Sequence, residues 1–169
     1  MNNTAYINNQ PYEFKPNESI LNFVKRIEGE KIIPTLCDAP NLEAFGSCRV
    51  CSVDVALEQN GKTKTVASCH TPVNAGMYIY PDTEQILELR KNIIELVLTD
   101  HPLECLTCEV NGNCELQDVA ARVGITDVRY PEGANHLNRT KDISHPYMRS
   151  ELSKCINCYR CVRACDEVQ

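Results

Sequence analysis

A chain of 169 residues, 43% hydrophobic but only 6% aromatic and without Trp, can hold one or two small domains around a modest apolar core. The formal net charge of −6 argues against a nucleic-acid face, which needs a basic stripe, and no run approaches the roughly 18 apolar residues of a membrane span. The polar start, Met1 to Tyr6, has no apolar signal region or twin arginine, so a soluble, cytoplasmic chain is expected.

Residues 1–80 read as a small α+β unit. Thr4–Ile7 and Tyr12–Phe14 are short strands around a polar turn, Asn8–Asn9–Gln10. Asn17 is the expected N-cap of a helix whose stripe is Ile20, Leu21, Phe23, Val24 and Ile27, and Gly29 suits its end. Cys51–Leu57 alternates through Val53 and Val55, Asn60–Gly61 signals a hairpin, and Lys62–Ala67 returns as the partner strand. A second helix begins near Pro81–Asp82 and runs to about Thr99. Its broad apolar face is Ile86, Leu87, Leu89, Ile93, Ile94, Val97 and Leu98. A shorter helix is expected from Glu115 to Val123, closed by Gly124. Residues 127–150, with Pro131, Gly133 and Pro146, read as an extended connection.

Eleven cysteines dominate the chemistry. In a reducing compartment such density points to metal or catalysis, and the odd count disfavours a closed disulfide framework. The cysteines fall into three groups. The first is Cys37, Cys48, Cys51 and Cys69, with Gly46 placed to let the backbone turn around a ligand. The second, in the segment HPLECLTCEVNGNCELQ, is His101, Cys105, Cys108 and Cys114, with Gly112 in the bend before the last ligand. The third, Cys155, Cys158, Cys161 and Cys165, is the C-x2-C-x2-C-x3-C run of two-cluster ferredoxins. There the first three cysteines hold one cluster and the fourth another, so a second run is needed. That run is absent here. Ligands from a longer subunit, ligands from another chain, and one cluster held by all four cysteines stay open. Thiolates at such spacings hold iron–sulfur clusters, and four-thiolate zinc is the bland alternative. His101 alone would read as a helix C-terminal histidine favoured by the helix dipole. Three cysteines beside it favour ligation. His70 reads as a surface or hydrogen-bonding residue, and His136 and His145 as structural.

In this order the three groups resemble the iron–sulfur region shared by the α subunit of NAD-linked formate dehydrogenases, iron–iron hydrogenases and the large iron–sulfur subunit of complex I. The resemblance implies a β-grasp [2Fe–2S] ferredoxin domain over residues 1–80, with Cys37, Cys48, Cys51 and Cys69 as ligands. It implies a small helical [4Fe–4S] domain over 81–140, where His101 replaces one thiolate beside Cys105, Cys108 and Cys114. Residues 141–169 would open a bacterial-type ferredoxin carrying a further [4Fe–4S] cluster on Cys155, Cys158, Cys161 and Cys165. The ending CVRACDEVQ, and Cys105–Leu106–Thr107–Cys108 and Asn111–Gly112–Asn113–Cys114 around a cluster where complex I subunits usually carry a Cys-Pro and a Gly-Gly pair, favour the formate dehydrogenase branch.

The expected function is therefore an electron-transfer module of an oxidoreductase, formate dehydrogenase-like first, hydrogenase-like or complex I-like second. Its partners would be a pterin-containing catalytic part and a diaphorase-type NAD or flavin subunit. A zinc-stabilised interaction protein is the alternative of another class. No nucleophile triad, P-loop, dinucleotide loop or paired-carboxylate site is present in the sequence, so no catalytic residue is expected. Glu28, Glu30, Glu43 and Glu58 read as a solvated acidic face.

Overall fold

The computed structural model describes residues 3–131 and 141–169. His136 and the expected boundary at residue 140 lie outside them. The chain forms two compact units: residues 1–90 together with 159–169, and residues 91–158.

The first unit is an α+β β-grasp. Strand β1 (Thr4–Ile7) turns into β2 (Gln10–Glu13), and Ile7 pairs with Gln10. The turn is therefore only Asn8–Asn9, both at positive φ, and Gln10 belongs to the strand. Two consecutive left-handed residues match the twist of a tight hairpin, and Asn tolerates that conformation. Helix α1 (Ile20–Glu28) starts two residues later than an Asn17 cap would place it. Ser19 is the N-cap and its hydroxyl accepts the Asn22 N–H, whereas Asn17 sits at φ 59° in the preceding turn. The expected stripe packs inward: Ile20, Leu21, Phe23 and Val24 are buried, with Ile27 at the margin.

Strand β3 (Ser52–Ala56) pairs with β4 (Lys64–Ala67), Val55 opposite Lys64. Asn60–Gly61 thus lies within a longer connection, not a two-residue hairpin turn. Strand β5 (Tyr78–Tyr80), which sequence patterning did not reveal, closes the sheet in the order β2-β1-β5-β3-β4. It runs parallel to β1 and antiparallel to β3, and Tyr6 stacks on Tyr78 with centroids 4.3 Å apart. Three residues flanked by Pro81 and Gly76 give too short an alternation to read alone.

Helix α1 covers one sheet face through Ala5, Ile7, Val53 and Ile79. The other face of β3 is also closed. Asp54 is buried there and accepts hydrogen bonds from Thr65 and Thr83 at 2.7 and 2.8 Å. Thr83 also accepts the Ile86 N–H and so caps helix α2 (Glu84–Thr99). The inward line of the first turns of α2 is Ile86 and Arg90, while Leu87 is exposed. The apolar face is thus narrower than the sequence suggests, with a buried arginine in its middle.

In the second unit, the end of α2 is tied to the segment at Arg129. Glu95 is fully buried, and the Arg129 guanidinium donates to both its carboxylate oxygens. Helix α3 (Glu115–Arg122) buries Leu116 and Val119, and Gly124 follows its end at φ 72°. Helix α4 (Arg160–Val168) returns to the first unit. No helix among the described residues is long and apolar enough to cross a membrane.

Candidate functional site

The first cysteine group occupies the loop between α1 and β3 and the end of β4. Cys37, Cys51 and Cys69 are buried and Cys48 is partly so. The four thiols fall into two pairs. The Cys48 N–H points at the Cys37 sulfur (3.5 Å), and Cys51 Sγ lies 3.4 Å from Cys69 Sγ. Cys37 is held well below the usual thiol range, chiefly by the hydrogen bond from the Cys48 side chain, then by the Cys48 and Ser47 N–H groups working against burial. Cys51 is lowered in the same way, first by Cys69. Cys48 and Cys69 are pushed up, first by the hydrogen bonds to Cys37 and Cys51 and then by burial. Gly46 is needed for its φ of +69° rather than for space, because a Cβ there would meet only ordinary contacts at 3.7 and 3.8 Å.

Three arginines that sequence reading passed over back this loop. Arg163 of α4 donates to the carbonyls of Cys37 and Glu43 and lies over the Phe45 ring. Arg90 of α2 donates to the Ser52 carbonyl at 2.7 Å, directly after Cys51, and burial pushes it down to about 10. Arg160 donates to the Asp38 carbonyl. The signal for Arg90 was present: it sits at helical spacing between Ile86 and Ile94. These donors fit an anionic cluster. A two-iron cluster offers two corners with two terminal sulfurs each, and the thiols are already sorted as two pairs with N–H groups and guanidinium charge around them.

The second group surrounds a cavity of about 860 Å³ lined by His101, Cys105, Cys108 and Cys114 together. The three cysteines are half-buried. Cys105 opens a 3-10 turn (Cys105–Thr107), Cys108 closes it through its N–H to the Cys105 carbonyl, and Cys114 caps α3. Gly112, at φ 78°, makes the bend before Cys114. Gln117 braces that bend by accepting the Gly112 N–H and donating to Asn111. His101 Nδ1 lies 2.9 Å from the Pro102 carbonyl. A carbonyl can only accept, so that contact places the proton on Nδ1 and leaves the Nε2 lone pair for a metal. Three thiols and one such imidazole fit the donor set of a His-ligated cluster.

The third group is divided between the units. Cys155 and Cys158 belong to the second, and Cys161 and Cys165, one helical turn apart on α4, to the first. Cys155, Cys161 and Cys165 are exposed, and the Asn157 N–H points at the Cys155 sulfur (3.4 Å). Among the described residues no three metal-ligating side chains converge tightly enough to enclose a single ion. His70 is exposed with Nδ1 3.1 Å from the Ala44 carbonyl, and His145 accepts the Tyr147 and Met148 N–H groups in a surface turn.

Comparison with known proteins finds iron–sulfur binding regions over both stretches of chain. Residues 3–84 match the 2Fe-2S iron-sulfur cluster binding domain, and residues 90–129 match the NADH-ubiquinone oxidoreductase-G iron-sulfur binding region. The HndD subunit of the NADP-reducing hydrogenase of Solidesulfovibrio fructosivorans is 37% identical over 98% of this chain and 28% of its own length. The G subunit of NADH-quinone oxidoreductase from Rickettsia prowazekii is 36% identical over 84% of this chain and 20% of its own. Its Escherichia coli counterpart is 32% identical over 95% and 17% respectively. The chain thus spans under a third of the length of these curated relatives. A crystal structure of NAD+-reducing [NiFe]-hydrogenase superposes over 99% of this chain and 68% of that one, with a TM-score of 0.82 and 29% identity. These matches bring a [2Fe–2S] and a [4Fe–4S] cluster with them. The chain is thus similar to the 2Fe-2S/4Fe-4S region found in G subunits of NADH-quinone oxidoreductases and in NAD-reducing hydrogenase subunits.

Proposed function

We propose that the chain relays single electrons between a catalytic centre and a nicotinamide-linked partner of a multisubunit oxidoreductase. What carries the reading is the pre-sorted pairing of four thiols in a buried loop. On this reading Cys37 and Cys48 hold one iron of the [2Fe–2S] cluster, and Cys51 and Cys69 hold the other. His101, through Nε2, joins Cys105, Cys108 and Cys114 around the [4Fe–4S] cluster. Cys155, Cys158, Cys161 and Cys165 take part in a further [4Fe–4S] centre of the two-run type. The clusters supply reversible one-electron chemistry. The chain's own part is to bind them, to aim N–H groups and charge at their sulfurs, and to limit water around them.

For the terminal chemistry, the relatives favour a hydrogenase or NADH-quinone oxidoreductase setting over the formate dehydrogenase branch suggested by the C-terminal motif. The names of the relatives share nicotinamide, which supports an NAD(P)-linked partner.

The test is anaerobic purification with iron, sulfide and EPR analysis. One [2Fe–2S] and at least one [4Fe–4S] centre, hence about six irons or more, are expected. Zinc without acid-labile sulfide would instead give the zinc-stabilised interaction protein. Adding hydrogen, NADH or formate to the native complex separates the branches. Bleaching of the visible spectrum by formate alone would restore the formate dehydrogenase reading.

A further inference from the structure

We infer that Arg163 and Arg90 are fixed counter-charges of the [2Fe–2S] site, one behind each cysteine pair, that hold its reduction potential above the value the thiolates alone would set. The inference rests on the ligand reading above.

Both guanidiniums are buried, at 6% and 2% exposure. A buried arginine is normally met by a carboxylate, because leaving a charge unpaired in the interior costs several kcal/mol. Neither is ion-paired to one among the described residues. Arg163 spends its Nη groups on the Cys37 and Glu43 carbonyls, and Arg90 spends one on the Ser52 carbonyl. The Nε of each has no partner among the described residues. Carbonyl dipoles satisfy donors but do not neutralise a cation.

Asp82 acts on Arg90 only from beyond ion-pair distance, and the charge that would meet both guanidiniums is the cluster's. A [2Fe–2S] core on four thiolates is a dianion when oxidised and a trianion when reduced. The arginines stand next to its two halves. Arg163 is bonded to the backbone of Cys37 itself. Arg90 is bonded to the residue after Cys51. A fixed cation stabilises the trianion more than the dianion, so it favours reduction. Buried, it does so with little screening by salt.

Arg163 has a further property. It lies on α4, between Cys161 and Cys165, so the helix carrying part of the third cysteine run also delivers a charge to the first site. Glu167 of the same helix accepts the Glu43 N–H at 2.9 Å, and Tyr159 at its start packs near Phe45. These contacts fix the register in which Arg163 arrives, making it a positioning residue as well as a charge.

The experiment is potentiometric EPR on the native complex with wild-type, Arg163→Lys and Arg163→Gln chains, the [2Fe–2S] signal being followed alone. Arg163→Gln should lower the midpoint by the equivalent of about a tenfold loss in the reduction equilibrium, near 59 mV for one electron. Arg163→Lys should stay close to wild type. Should Arg163→Gln fail to retain the cluster, Arg163→Lys decides: a retained signal at the wild-type potential supports the counter-charge. An unchanged midpoint in Arg163→Gln, equal shifts in both variants, or loss of the cluster from both would reduce Arg163 to a structural clamp and overturn the inference. Absence of any [2Fe–2S] signal in the wild type would instead sink the ligand reading beneath it.

Discussion

The two better-formed cysteine groups are built in opposite ways. Among the described residues up to 90, nineteen apolar ones are buried, and Cys51 and Cys69 are members of that core. In residues 91–158 the apolar residues buried among the described ones are Ile94, Leu116 and Val119 alone. Its cysteines sit half-exposed on a 3-10 turn and a helix cap around an 860 Å³ cavity. The first site is lodged in a fold that hydrophobic burial can support. The second is a fold whose centre is the ligand set itself. A unit with so small a core needs metal or another staple to be stable.

The strongest way to break this comparison is to remove the clusters. Structural metal binding can supply ~10 kcal/mol of folding free energy. Chelation under reducing conditions should therefore unfold residues 91–158 while much of the β-grasp sheet survives. Hydrogen exchange read by mass spectrometry checks it. Protection should vanish over α3 and persist over β1, β3 and β5. Equal loss in both units would mean that the first site also depends on its metal for the fold.

The converse change attacks the core. Phe23 is fully buried and meets the Phe14 ring edge-on at 6.4 Å. Phe23→Ala should cost ~3–5 kcal/mol, as large core truncations do. Denaturant melts of the holo chain should show the first unit alone weakened. A drop shared by the His-ligated centre would argue against independent units.

His101 sharpens the contrast at the ligand level. Imidazole is neutral and thiolate anionic, so His101→Cys should assemble a [4Fe–4S] cluster of lower potential. His101→Ala should leave one iron without its protein ligand and make the cluster oxygen-labile. In both, the [2Fe–2S] signal should be unchanged. An unaltered [4Fe–4S] spectrum and potential in both variants would return His101 to the structural role of a helix-end histidine.

How far the sequence could be read follows the same division. Motif spacing made it legible that each of the first two cysteine groups comes together, because close spacing dictates proximity locally. Strand β1 and helices α2 and α3 were legible because caps and periodicity are local as well. Helix α1 starts later than expected because Asn and Ser are both good N-caps and only contacts choose between Asn17 and Ser19. Only the Ser19 hydroxyl reaches the Asn22 N–H, while Glu18 is taken by Arg26. Strand β5 and the inward arginines were hidden for a different reason. A three-residue strand is defined by its neighbours β1 and β3. Arg90 and Arg163 are defined by carbonyls 38 and 126 residues away. Local composition reads such residues as surface charges.

The smallest expected effect tests whether surface electrostatics adds to the first unit. Arg26 donates twice to the Glu18 carboxylate, Nε and Nη2 each at 2.8 Å, and the Lys15 N–H donates a third time. The Arg26 bond is the largest cause that lowers Glu18 below its ordinary 4.5. A carboxyl lowered on folding stabilises the protein fully above its unfolded pKa, and the contribution is lost as pH falls through the folded one. Arg26 is partly exposed, so screening limits the pair to ~0.5–1 kcal/mol. Glu18→Gln should therefore weaken the first unit by about that much at pH 7. The deficit should shrink once the pH drops below 4.5, because the wild-type carboxyl is then being protonated too. Cluster loss and the other carboxylates titrate alike in both chains and cancel in the difference. Denaturant midpoints compared at pH 7, 5 and 4 give the result. A deficit that stays constant with pH would assign the contribution to the shape of the loop before α1 and not to the charge it holds.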